Sequence, residues 1–241
     1  VIERLAENGP MGIMDLSAEL GFHKSTTHRL VTSLQYMGYI RQDEESLKYA
    51  LSLKFLEIGS KILEQTNMAS LIHPSLKKLS EQTGETVHLV RREGTEAVYI
   101  DKVESTVSSI RMVSRVGSRI PLYCSGVGKA LLAELPDPEI EDIWNSSEIT
   151  SLTPYTVTSL SDLMDRIRGV REAGYAMDDE ENEEGVRCIA VSIPDYHKEP
   201  VYALSISAPV SRMTDARIAE LSTDVLTFKK DLEKTLGFSR S

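Results

Sequence analysis

The sequence predicts a multidomain chain: a mostly helical winged helix-turn-helix module at the N-terminus, followed by an α+β domain. Residues 1–51 read as three helical segments and then a hairpin. Residues 68–241 mix strand-like and helical stretches, without repeats or a nucleotide-binding glycine loop. Residues 52–67 read as a linker helix between them. With 41% hydrophobic and 27% charged residues over 241 positions, each part has material for a packed core.

Val1 to Asn8 reads as an amphipathic helix and not as a signal peptide, ended by Gly9-Pro10. The chain opens on Val and not on Met, which leaves room for a first helix that continues upstream. Asp15 to Leu20 forms the second helix, interrupted by Gly21, and Lys24 to Met37 the third, closed by Gly38. Tyr39 to Arg41 and Leu47 to Leu51 are short strands around a polar loop. Ser52 to Glu64 is the linker helix, and its leucine face is a candidate for part of a dimer interface. A helix over Leu71 to Ser80 is weakened by Pro74.

Beyond Gly84 strands are expected at Thr86–Val90, Ala97–Val103 and Ser109–Ser114, then a short helix at Gly126–Glu134. A longer helix at Leu160–Glu172 gathers Leu160, Leu163, Met164, Ile167 and Val170 on one face. Arg187–Ile193 and Val201–Ala208 pair as antiparallel strands, and Asp215–Leu236 closes the chain as a helix. No apolar run approaches the roughly 20 residues that span a bilayer. Two cysteines, Cys124 and Cys188, suit a reduced, cytoplasmic setting better than a secreted disulfide scaffold.

The net charge of −10, from 27 basic and 37 acidic residues, argues against a protein coated in nucleic acid. Its distribution does not exclude a small DNA-reading module. Residues 20–42 hold Lys24, Arg29 and Arg41 and no Asp or Glu, a local +3 against −13 for the remainder. On a helical wheel Thr27, Leu30, Val31 and Leu34 gather on one side, for burial. Lys24, Ser25, His28, Arg29 and Thr32 lie almost opposite, able to enter a major groove. Arg29 is the first choice for reading a base; Lys24, Ser25 and Thr26 suit backbone phosphates. Arg41 and Lys48 add hairpin contacts. The bland alternative is a winged helix used only for protein interaction.

In the second domain, Ser125-Gly126-Val127-Gly128 precedes a helix, where free backbone amides could seat a carboxylate. Ser205 and Ser207 share one strand face, with Leu204 and Ile206 turned to the core. Close packing by the glycines and backbone bonding by the serines explain the same pattern equally well. The six carboxylates within Asp178–Glu184 are expected to be mostly exposed, with Glu184 and Arg187 as a local pair. An enzyme would need Cys188 activated by His88 or His197, and nothing in the spacing brings them together. The five histidines lack a metal-ligand pattern.

Four stretches, in order, resemble the IclR family of transcriptional regulators over essentially the whole chain. They are Ile13 to Ile40, with Lys24-Ser25-Thr26-Thr27-His28-Arg29-Leu30; Met112 to Ala133, MVSRVGSRIPLYCSGVGKALLA; Gly174 to Ile193, GYAMDDEENEEGVRCIAVSI; and Leu204 to Pro209. The resemblance implies a GAF-like effector domain and homodimers that pair into tetramers on palindromic double-stranded operator DNA. It implies a one-component repressor that answers to a small organic acid, such as a keto or sugar acid, with no cofactor, metal or membrane partner. Position by position, it places Gly126 and Val127 at backbone effector contacts, Ile120 at an apolar wall, Met112 near the pocket, and Asp178, Cys188, Ser205 and Ser207 at polar contacts. Ser109 to Ala130 is also similar to members that govern pectin and uronate breakdown, which points to an acid like 2-keto-3-deoxygluconate. A sensor without DNA function is the alternative.

Overall fold

The computed structural model describes residues 1–65, 68–105, 114–195 and 197–236. The chain divides into two units, Val1–Asn67 and Met68–Ser241.

In the first unit, α1 (Ile2–Asn8), α2 (Ile13–Leu20) and α3 (Lys24–Tyr36) precede the hairpin β1 (Ile40–Gln42) and β2 (Tyr49–Leu51); α4 (Lys54–Gln65) follows. Leu5, Leu16, Val31, Ile40 and Tyr49 form its small core. Gly38 follows α3 at φ +77°, a conformation that lets Tyr39 N–H return to the Leu34 carbonyl at 2.8 Å. Ile40 pairs with Leu51 and Gln42 with Tyr49. In the loop between them, the Asp43 carboxylate accepts from Ser46 N–H and Oγ, bonds that hold its carboxyl below the usual range.

The second unit begins with α5 (Met68–Thr83), then β3 (Thr86–Glu93), β4 (Glu96–Val103), β5 (Arg119–Pro121), α6 (Gly126–Leu132), α7 (Asp137–Asn145) and α8 (Leu160–Ala173). It ends with β6 (Ala176–Asp179), β7 (Val186–Ile193), β8 (Tyr202–Pro209) and α9 (Asp215–Thr235). The strands form one antiparallel six-stranded sheet in the order β5-β4-β3-β8-β7-β6. Residues alternating along β8 divide between its faces. Leu204 and Ile206 join the core under α5 and α9, whereas Ala203 joins the core under α6 and α8.

Several expectations are corrected. Pro74 lies inside α5, yet the helix continues through it. Ile72, Leu76 and Leu79 are at most 2% exposed. Burying each is worth ~1.5–3 kcal/mol, against ~3 kcal/mol for an interior proline. Three short elements, β5, α7 and β6, were not anticipated. The strand expected at Ser109–Ser114 lies, up to residue 113, outside the described residues, as does Met112.

Gly128 has a steric reason for being glycine. A Cβ there would sit inside the van der Waals radius of the Leu122 carbonyl, which is backbone and cannot step aside. Gly128→Ala should destabilise this unit by about 3 kcal/mol, read as a lower urea-unfolding midpoint; a wild-type midpoint would show that the turn before α6 yields easily.

Candidate functional site

Two groups of chemistry-bearing residues stand out, one in each unit. In the first, the period of α3 buries Thr27 and Val31 and half-buries Leu34. Lys24, Ser25, Thr26, His28, Arg29 and Thr32 are exposed, and so are Arg41 and Lys48 on the hairpin. Among the described residues, none of the four cations in this set has an ion-pair partner. His28 Nδ1 lies 3.4 Å from Thr32 Oγ1, so these two share the outward face. Leu30 was expected in the core but is 41% exposed; it lies at the margin of the buried stripe, where this small core ends. The helix opens at His23, whose side chain does not cap it, so its first amides still seek acceptors.

In the second unit, a narrow cavity lies on the α6 side of the sheet: about 30 Å³ can hold solvent, within about 420 Å³ that includes its open mouth. Ile120, Gly126, Val127, Asp178, Cys188, Ser205 and Ser207 line it together. Ser125 caps α6: its Oγ accepts from Gly128 N–H at 3.1 Å and donates to the Pro121 carbonyl. The amides of Gly126 and Val127 come before Lys129, whose N–H is the first to reach an intrahelical carbonyl, that of Ser125 at 2.9 Å.

Asp178 is 4% exposed, and its Oδ1 accepts from Glu181 N–H at 2.9 Å and Asn182 N–H at 3.4 Å. Burial pushes its carboxyl up to about 7, with Lys129 pulling it down and Glu181 pushing it up. At neutral pH this group is therefore poised between acid and carboxylate.

Close by in the chain, Lys129 Nζ meets Glu181 Oε1 at 2.5 Å, and both side chains are 2% exposed. Glu181 Oε2 has no hydrogen-bond partner. The acidic run is therefore not one solvated face. Asp178 and Glu181 are buried, because Asp178 caps the turn and Thr153 and Thr156 bond the carbonyls of Glu180 and Glu181. Nor does Arg187 pair with Glu184; its guanidinium reaches Asp179 at 2.7 Å and Asp215 at 3.1 Å.

His88 and Tyr99 also line the cavity, and sequence reasoning did not assign them to a ligand site. His88 is 3% exposed, with Nε2 2.7 Å from Ser114 Oγ and Nδ1 3.3 Å from Ser207 Oγ. Burial, helped by the charge of Lys102, holds its pKa down to about 3, so the ring is neutral. The available signal was a lone polar residue inside the apolar run of β3; its register with Ser205 required the fold. Cys188 shares this cavity with His88, whereas His197 does not line it. Burial raises the Cys188 thiol far above its ordinary range, the reverse of an activated nucleophile.

Residues 1–44 match the IclR helix-turn-helix domain, and residues 60–233 match the domain described as bacterial transcriptional regulator IclR C-terminal. The acetate operon repressor of Salmonella typhimurium is 37% identical over 100% of this chain and 88% of its own length. The regulator KdgR of Escherichia coli is 35% identical over 99% of this chain and 90% of its own. Among solved structures, the repressor BlcR of Agobacterium tumefaciens superposes with a TM-score of 0.81 at 26% identity, covering 99% of this chain and 95% of that one. IclR of Thermotoga maritima gives 0.68 at 32% identity, covering 98% and 95%.

The buried ion pair makes a direct prediction. Lys129→Met strands the Glu181 charge and should cost about 3–5 kcal/mol in denaturant unfolding, while adding Glu181→Leu should restore most of it. A single variant as stable as the wild type would mean that Glu181 is buried uncharged.

Proposed function

The chain belongs to the IclR family of bacterial transcriptional regulators and acts as a DNA-binding transcriptional repressor; from that premise we propose how it reads its operator and what it senses. The observation that carries the reading is the exposed, unpaired cationic face of α3. Arg29 reads a base edge in the major groove, where its planar fork suits guanine. His28 and Thr32 flank it, Lys24, Ser25 and Thr26 hold phosphates at the helix start, and Arg41 and Lys48 extend the contact from the hairpin. One such module offers few contacts, so the operator is a two-fold site read by a homodimer, which can pair further into a tetramer. Leu53 and Leu56, 80% and 68% exposed, suit a linker-helix contact between copies.

The cavity takes a small organic acid. Its carboxylate sits at the Gly126 and Val127 amides, against the Ile120 wall, with Asp178, Cys188, Ser205 and Ser207 as polar contacts. Met112 joins this set by resemblance alone and lies outside the described residues. Two anions in one small space repel, so the proton on Asp178 favours the acid. The acid alters operator affinity only as far as it binds one arrangement of the protein better than another.

Two measurements test this. Arg29→Ala should weaken binding to a cognate operator by about 1–3 kcal/mol in an electrophoretic shift, sparing non-specific DNA; unchanged specific affinity would remove Arg29 from the reading role. For the acid, the sign follows from Asp178, protonated below about 7 and ionised above it. Acid affinity should fall as pH rises from 7 to 9, approaching tenfold per unit, and Asp178→Asn should flatten the profile. A flat wild-type profile would place the acid away from Asp178.

A further inference from the structure

A second cavity lies where α8 runs beside β6, the last strand of the sheet, and it shares no lining residue with the first. About 430 Å³ of it can hold solvent, against about 30 Å³ in the first. Small-molecule sites fall in this size range. Lys129 and Glu181 line it although both side chains are 2% exposed, so their ion pair closes its deep end. Lys129 Nζ takes Glu181 Oε1, and Oε2 has no hydrogen-bond partner. A buried oxygen without a donor is costly. A carboxylate turns readily about its last bond, so this one can keep Lys129 on one oxygen and offer the other to a donor arriving from the cavity.

Gly169 adds a second, independent observation. It is an interior residue of α8, where glycine weakens a helix relative to alanine. Packing does not call for it, since a Cβ at this position would meet nothing within 4 Å. What Gly169 does is leave the cavity wall bare, so that a ligand can lie against the helix backbone. Val170, Tyr175 and Met177, all half-buried, supply an apolar stretch of the lining.

We propose that this cavity is a second ligand site and that it binds a small organic amine in its charged, ammonium form. The ammonium group donates to the free oxygen of Glu181, and the hydrocarbon part lies along Gly169, Val170 and Met177. Charge and solvation both select a cation. The lining holds three carboxylates, Asp165, Asp179 and Glu181, against two cations, Lys129 and Arg166. Asp165 pairs with Arg168 and Asp179 with Arg187, and Asp165, Arg166 and Asp179 are exposed, so these rim groups are served by neighbours and by water. Glu181 Oε2 is the group that gains a bond it lacks. A carboxylate ligand would meet Glu181 with like charge, where water screens the repulsion poorly. The aromatic ring of Tyr175 favours the same sign of ligand.

The test is isothermal titration of the full chain with three probes of one length: butylammonium, butyrate and butanol. Butylammonium should bind about 10- to 100-fold more tightly than either of the others, as a hydrogen bond to a buried charged acceptor implies. Gly169→Leu puts a side chain into the cavity where the helix has room for one. It should weaken butylammonium binding at least about tenfold without lowering the urea-unfolding midpoint. The double variant Lys129→Met, Glu181→Leu removes the carboxylate and should abolish the preference for the cation. Equal binding of butyrate overturns the proposal, as does a wild type that binds no butylammonium and leaves Glu181 Oε2 to water. Undiminished binding by Gly169→Leu, or a cation preference kept by the double variant, places the amine elsewhere and overturns it too. Should the double variant not fold, Gly169→Leu decides by itself.

Discussion

Lys129 and Glu181 bring opposite charges together at 2.5 Å in a place where both side chains are 2% exposed, and the contact joins α6 to the turn that also bonds Asp178 of the cavity lining. Taking two ions out of water costs several kcal/mol each, and their attraction offsets this only while both stay in register. Lys129 comes from α6 and Glu181 from the turn after β6, so the pair ties the helix start to the edge of the sheet. The same turn delivers the Glu181 and Asn182 amides to Asp178. Moving either ion would thus disturb the Asp178 carboxyl that lines the cavity. The orphaned Glu181 Oε2 marks the pair as a positioning device more than a source of stability.

Around this anchor the cavity acquires two unlike ends. At α6, glycines 126 and 128 let the chain approach closely: a Cβ on Gly126 would lie 3.4 Å from Asp178 N, and Gly128 has no room for one at all. That end offers backbone amides and a helix dipole, which suit negative charge. At the β3–β8 register, His88, Ser205 and Ser207 offer neutral hydrogen-bonding groups. The two ends thus differ in the hydrogen-bonding groups they present.

The order of the first unit was legible in the sequence because its signals are local: the helices and turns follow from period, Gly21 and Gly38, and the outward face of α3 from the same period. The ligand-site set came from family resemblance; seven of its eight residues line one cavity, and the eighth, Met112, lies outside the described residues. What was not legible depends on partners distant in the chain. The burial of Glu181 requires Lys129, 52 residues away, and a run of six carboxylates reads locally as a wet surface. His88 reaches the cavity lining only through pairing with Ser205, 117 residues away in the chain. Leu30 shows the opposite error, since periodicity names a face but not where a small core stops.

The charge layout bears on how such a regulator can be switched. With +3 confined to residues 20–42 and −13 spread over the rest, the bulk of the chain repels DNA. The electrostatic contribution to operator affinity then rests on a few cations per copy. A ligand held in a separate, acidic domain need not compete for the groove. A coupling of ~1–3 kcal/mol changes affinity by ~5–150-fold, which is decisive for a marginal binder and of little consequence for a saturated one. On the proposed reading, the scarcity of positive charge is what lets a coupling of this size act as a signal.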